Sequence, residues 1–171
     1  MIRQATAADV EMILEIFNDN IVNSTAIYMY KEQTLEQRMA WFEAKKQAGE
    51  PLFVYEENGE VAGYATYGSF RPYPAFHYTV EHSVYVHKNH YKKGIASKLM
   101  YELIDYARTH DVKTMVACID KENEASLYIH EKLGFTYSGT IRNAGYKFDR
   151  WLDLVFYQLD LEGPKNPQEN E

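Results

Sequence analysis

Two hydrophobic periods alternate along this chain, and their order constrains the fold more than any other feature of the sequence. Ile2 to Thr6 reads as a short strand. Thr6 with Asp9 three residues on resembles a capping box, after which Val10, Ile13, Leu14, Phe17 and Ile21 recur at helical spacing. Thr34 with Gln37 opens a second helix with Leu35, Met39 and Phe42 on its inner face, ending near Gly49. From Pro51 the period changes to two. PLFVYEENGEVAGYATYGSF is a pair of strands about the turn Asn58-Gly59, and Phe76 to His87 is predicted as the next strand after the loop RPYP. Leu99, Leu103 and Tyr106 mark a third helix, Lys113 to Asp120 a strand, and Asn123 to Leu133 a fourth helix stopped by Gly134. Two strands, Phe135 to Lys147 and Trp151 to Leu159, complete the order βααβββαβαββ, an α/β chain with about seven strands in a mixed sheet and about four helices.

The length of 171 residues suits one domain, expected over residues 1–161, with the polar tail EGPKNPQENE (162–171) frayed. No leader-like h-region and no apolar run of membrane-spanning length is visible, so a cytoplasmic protein is expected. A formal net charge of -7 argues against an extended nucleic-acid-binding face. Cys118 stands alone within TMVACI, which removes intramolecular disulfides and cysteine-rich zinc sites; it reads as a small buried core residue, with a nucleophilic thiol as the second reading. His82, His87 and His90 form no ligand set with nearby carboxylates, and no metal is expected.

Against this acidic background, VYVHKNHYKKGIASKLM (Val84 to Met100) concentrates cations just before a helix. A strand, a basic loop with a glycine and a helix start form an arrangement that can hold a phosphate group. First-turn N–H groups are free and the helix dipole favours an anion there. Gly94 alone also fits a solvated basic turn. Neither G-x-x-x-x-G-K-[ST] nor G-x-G-x-x-G is present, which disfavours ATP and dinucleotides.

The segment resembles the pyrophosphate loop of the GNAT acetyltransferases, and NEASLYIHEKLGF (Asn123 to Phe135) resembles their second cofactor-contacting helix. GSFRPYPAFHYTVEHSVYV, SLYIHEKLGF and GYKFDRWLDLVFYQLDL together resemble the phosphinothricin and methionine sulfoximine N-acetyltransferase branch, over nearly the whole chain to about Leu161. The resemblance implies a GNAT fold, acetyl-CoA as co-substrate and a homodimer. It implies that the backbone of Val84, Tyr85 and Val86 pairs with the pantetheine arm, with the Val84 N–H toward the thioester oxygen. Lys92, Lys93, Gly94, Ile95, Ala96 and Ser97 would hold the pyrophosphate. Asn123 and Ser126, which read alone as a helix cap, would add cofactor contacts. Tyr91 stands where the family has Arg or Gln, and His77 where the branch often has Arg.

On the same resemblance, Glu81 is the general base, raised in pKa by burial, and His130 its partner as second base or proton donor to the thiolate; the reverse assignment stays open. Read without the resemblance, Glu81 is a solvated strand residue and His130 a surface or satisfied core histidine. Phe70, Arg71, Tyr73, Phe76 and His77 are expected to wall the acceptor site, with Arg71 for a carboxylate and Lys147, Arg150 and Trp151 as further neighbours. The implied reaction moves acetyl from acetyl-CoA to the α-amino group of a small amino acid or analogue, with a lean toward a neutral head group. Acetylation of peptide or protein amines and a non-catalytic acyl-CoA sensor are the alternatives.

Overall fold

The computed structural model describes residues 1–169, which form seven strands and four α-helices in the predicted order. The strands make one mixed sheet in the order β1-β2-β3-β4-β5-β7-β6. They are β1 (Ile2–Gln4), β2 (Leu52–Glu57), β3 (Glu60–Ser69), β4 (Thr79–Val86), β5 (Thr114–Asp120), β6 (Thr136–Lys147) and β7 (Arg150–Asp160). The helices are α1 (Val10–Asn23), α2 (Leu35–Ala48), α3 (Ile95–Arg108) and α4 (Glu124–Lys132). Among the described residues no helix is long and apolar enough to cross a membrane.

The chain packs as two compact units, Met1–Tyr67 with Ser83–Leu103, and Gly68–His82 with Ile104–Glu171, the last two residues lying outside the described part. In the first unit, Val10, Ile13 and Ile16 of α1 and Phe42 of α2 cluster with Leu52, Val54, Val61 and Tyr64 of the β2–β3 hairpin. The helices start where their caps predict. Thr34 Oγ1 accepts from the Gln37 N–H while Gln37 Oε1 accepts from the Thr34 N–H, and Gly49 closes α2 in the left-handed region at φ 69°. Before α1, the Asp9 carboxylate accepts from the Thr6 N–H at 2.7 Å and from the Arg3 guanidinium at 2.8 and 2.9 Å. Those bonds, Arg3 first, hold its carboxyl below the ordinary value despite burial.

In the second unit, β5 and β7 pair antiparallel with Met115 opposite Leu159, Ala117 opposite Tyr157 and Ile119 opposite Val155, all six side chains buried. The parallel register of β4 with β5 covers Thr79–Thr114, Val80–Met115 and Glu81–Val116.

One expectation is corrected. The strand predicted from Phe76 begins only at Thr79, because Pro74–Phe76 form a 3-10 turn: proline fixes φ and has no N–H for a sheet ladder. Ahead of the tail Leu161 N–H donates to Lys113 O and Lys113 Nζ to Leu161 O, and within it Gln168 N–H donates to Tyr78 Oη at 2.9 Å. Residues 170 and 171, which the expected frayed tail includes, lie outside the described residues.

Gly63 of β3 lets β4 approach closely. A Cβ there would stand 2.9 Å from the Tyr85 carbonyl oxygen and 3.2 Å from Ile95 Cγ2 and Leu99 Cδ1. Because the first of these is backbone, relief requires β4 itself to move. Gly63→Ala is expected to destabilise the protein by about 1–3 kcal/mol, the usual cost of overpacking, read as a lower urea midpoint. An unchanged midpoint would show that the strand yields freely.

Candidate active site

The basic loop lies wholly in the first unit. β4 ends at Val86, Lys88–His90 make one 3-10 turn, and α3 starts at Ile95. Lys92 (φ 64°) and Gly94 (φ 74°) both lie in the left-handed region. A Cβ on Gly94 would meet nothing within 4 Å, so glycine is favoured there by its dihedral angle and not by space. The Gly94 carbonyl accepts the first helical bond, from Lys98 N–H at 3.2 Å. The N–H groups of Ile95, Ala96 and Ser97 therefore occupy the first turn, beyond the reach of intrahelical acceptors. Around them Lys92, Lys93 and Gly94 are exposed. Two of the basic side chains are already committed: Glu57 accepts from Lys93 Nζ at 3.1 Å and pairs with His90 Nδ1 at 2.8 Å, and this lowers its carboxyl pKa. Val84, Tyr85 and Val86 are half-buried, and Tyr85 packs its ring 5.4 Å from that of Tyr64.

The catalytic candidates lie in the second unit, where strand alternation separates them. Val80 and His82 of β4 are buried while Glu81 between them is exposed, against the burial expected for it. Successive strand side chains leave opposite faces, so Glu81 and His82 point away from each other. Glu81 Oε1 accepts from Cys118 Sγ of β5 at 2.7 Å. Cys118 is thus half-buried beside a carboxylate and not a simple core residue; burial first, then Glu81, push its thiol pKa well up.

On the other face stands His130. Its Nε2 lies 2.9 Å from His82 Nε2, its Nδ1 lies 2.7 Å from the Ser126 carbonyl oxygen, and the two imidazoles are nearly parallel at 8°. Phe135 packs edge-on against both rings, at 5.6 Å from His82 and 5.1 Å from His130. Both histidines are buried, and burial lowers both pKa values, that of His82 to about 3 with His130 as the second cause. Glu81 and His130 therefore do not meet; the partner of His130 is His82, which sequence reasoning passed over. Period two in TVEHSVYV was the available signal, since it sets His82 on the inner face with Val80.

The remaining candidates sort clearly. Asn123 Oδ1 accepts from Ser126 N–H at 3.2 Å, which makes it the cap of α4. Phe70, Tyr73 and Phe76 form an edge-to-face cluster with centroid spacings of 6.3 and 6.4 Å, and the Arg71 guanidinium lies 5.5 Å from the Phe70 ring centroid. His77 stacks edge-on with Tyr78. Arg150 is tied to Asp120 at 2.6 Å and Glu122 at 3.3 Å, Lys147 is buried, and Trp151 packs on Tyr146.

A cradle of first-turn N–H groups behind a basic glycine loop, together with the fold, is what comparison with known proteins explains. The Acetyltransferase (GNAT) domain model matches residues 2–156. The chain belongs to the GNAT acetyltransferase family. It is 46% identical over 166 residues to L-amino acid N-acyltransferase MnaT of Escherichia coli (strain K12), covering 97% of this chain and 96% of that protein. It is also 46% identical to the L-methionine sulfoximine/L-methionine sulfone acetyltransferase of Salmonella typhimurium, covering 94% of each. The solved structure of yncA from Salmonella typhimurium, with its cofactor acetyl-CoA, superposes with a TM-score of 0.95 at 45% identity, over 98% of this chain and 97% of that one. This GNAT protein is accordingly an N-acetyltransferase.

The buried histidine gives a pH signature. An unfolded chain binds a proton on His82 below about 6.5, whereas the native ring does so only near about 3. Between those values the unfolded state holds more protons, so stability rises with pH and is lost as pH falls through the window. Urea midpoints are expected to drop from pH 6.5 toward pH 4, and His82→Gln to flatten the slope. A wild-type midpoint independent of pH across that range would contradict a neutral buried His82.

Proposed function

We propose that this acetyltransferase moves acetyl from acetyl-CoA to the α-amino group of a small amino acid or amino-acid analogue, as a cytoplasmic homodimer. The observation that carries the reading is the anion cradle of Gly94 to Ser97, next in sequence to a strand that carries an exposed carboxylate. The left-handed backbone at Lys92 and Gly94 and the exposed loop suit a pyrophosphate bound mainly by N–H donors, with Lys92 and Lys93 adding charge. The backbone of Val84, Tyr85 and Val86 takes the pantetheine arm as an added strand, and Asn123 and Ser126 contribute from α4.

Acetyl-CoA supplies an activated acetyl thioester when bound. The protein's part is to hold and move protons around it. Glu81 accepts the proton of the acceptor's ammonium at Oε2, because Oε1 already accepts from Cys118; the neutral amine nitrogen then forms the new carbon–nitrogen bond as the carbon–sulfur bond breaks, and its second proton passes to the departing thiolate, which leaves as coenzyme A thiol. The Val84 N–H holds the carbonyl oxygen as negative charge develops, a contribution on the order of 3–4 kcal/mol. His130 stays the partner group on the opposite face of β4. The cluster of half-buried Phe70 with exposed Tyr73 and Phe76 forms the acceptor wall with His77, and Arg71 pairs with the acceptor carboxylate.

With His77 where a second guanidinium would sit, the head group favoured is neutral: a sulfone, sulfoximine or hydroxyl over a phosphinate. The relatives named for L-methionine sulfoximine and sulfone agree in substrate class. Release of coenzyme A thiol is expected with methionine sulfoximine or sulfone at rates above those with phosphinothricin, and Glu81→Gln should lower kcat at least tenfold with little change in acetyl-CoA affinity. Faster turnover of phosphinothricin would overturn the head-group assignment, and full activity of the variant would overturn the base.

The dimer reading is supported by Ile141, Tyr146, Phe148 and Trp151, all exposed in β6, β7 and the turn joining them. Light scattering is expected to give twice the 20.0 kDa chain mass, and a mass of one chain would refute it.

A further inference from the structure

We infer that His82 is a positioning residue: its Nε2–H holds the His130 ring as the neutral Nδ1–H tautomer, so that His130 takes no proton in turnover and the acceptor's proton goes to Glu81. This rests on the acetyl-transfer reading above and settles which of its two candidates is the base.

The assignment follows from the contacts in order. A carbonyl oxygen only accepts, so the 2.7 Å contact with Ser126 O requires a hydrogen on His130 Nδ1. A neutral imidazole carries one N–H, which leaves His130 Nε2 as a bare lone pair. Two bare nitrogens do not approach to 2.9 Å, so His82 Nε2 carries the bridging hydrogen. His82 Nδ1 is then the acceptor without a hydrogen, and it is a buried atom with no hydrogen-bond partner among the described residues. The opposite arrangement fails twice. It makes His130 a cation in a buried site, and it puts an N–H on His82 Nδ1 with nothing to receive it.

Among the described residues, the hydrogen bonds and ring contacts of the pair come from no charged side chain that would favour the cation. From α4 the contact is the Ser126 carbonyl, with the Ser126 hydroxyl 3.4 Å away, and the segment before β6 gives the Phe135 ring. The charged residues next in sequence turn away: Glu81 on β4 toward Cys118 of β5, and Glu131 on α4 toward Tyr157 Oη of β7 at 2.7 Å. Burial lowers the pKa of both rings, which agrees with the neutral state that the geometry requires.

The test is nitrogen-15 NMR of the imidazoles from pH 5 to 8, assigned with His82→Gln and His130→Gln, alongside pH–rate profiles. In the wild type both rings are expected to stay neutral, His130 protonated at Nδ1 and His82 at Nε2. His82→Gln keeps an N–H donor, and its kcat should stay within about threefold of wild type. His82→Ala leaves His130 Nε2 open, so the ring should begin to titrate inside the window. Its kcat should fall at least fivefold at pH 6 and less at pH 8, with the KM for acetyl-CoA within twofold. Titration of wild-type His130 between pH 5 and 8, or a hydrogen on its Nε2, overturns the inference even if His82→Ala fails to fold. A His82→Ala profile superimposed on wild type does the same. The NMR result does not depend on catalysis: expected tautomers in a protein that acetylates no amine would refute the proposed function alone.

Discussion

Strand β4 packs two incompatible environments into consecutive residues, and the chemistry depends on how period two separates them. Val80 and His82 face the interior while Glu81 faces solvent and Cys118. A one-residue slip would exchange a buried imidazole for a buried carboxylate, and desolvation of that charge is the more costly. The register is fixed over this stretch by the pairs Thr79–Thr114, Val80–Met115 and Glu81–Val116. The same pleat therefore keeps the proposed base wet and the histidine pair dry.

Buried carboxylates here meet a counter-charge, Asp9 from Arg3 and Asp120 from Arg150, but buried Arg38 and the buried histidine pair are accommodated without one. Arg38 of α2 is 5% exposed, and its guanidinium lies 3.8 Å from the Phe17 ring centroid and 3.9 Å from that of Trp41, so aromatic faces stand in the place of a carboxylate. Burial lowers its pKa accordingly. His82 and His130 reach the same end by staying neutral and sharing a hydrogen. An aromatic sandwich tolerates a cation and a histidine pair avoids one.

Much of the fold was legible because it rests on local rules. Thr34 with Gln37, the Asn58-Gly59 turn and Gly134 each act within a few residues, and the helices and hairpin lie where those signals put them. The start of β4 was misread because alternation continues through Phe76 to Tyr78, while Pro74 governs the backbone there. The site was legible as a set of residues and not as a set of contacts. Forty-eight residues separate His82 from His130, and 37 separate Glu81 from Cys118, so no local pattern could pair them. The burial expected for Glu81 failed for a related reason: alternation says that neighbours differ, but only packing decides which of them is covered.

The basic loop carries a similar lesson about charge. KNHYKK looks like an electrostatic site, yet His90 and Lys93 are engaged by Glu57, which cancels part of the field that the sequence suggests. What the loop keeps is geometry: two left-handed residues before a helix, and three first-turn N–H groups with no intrahelical acceptor. Backbone donors do not titrate and lose no side-chain entropy on binding, so the cradle proposed for the pyrophosphate does not depend on the side chain at Tyr91. On that proposal a loop in a chain of net charge -7 can dispense with the basic or amide side chain that the resemblance puts at that position.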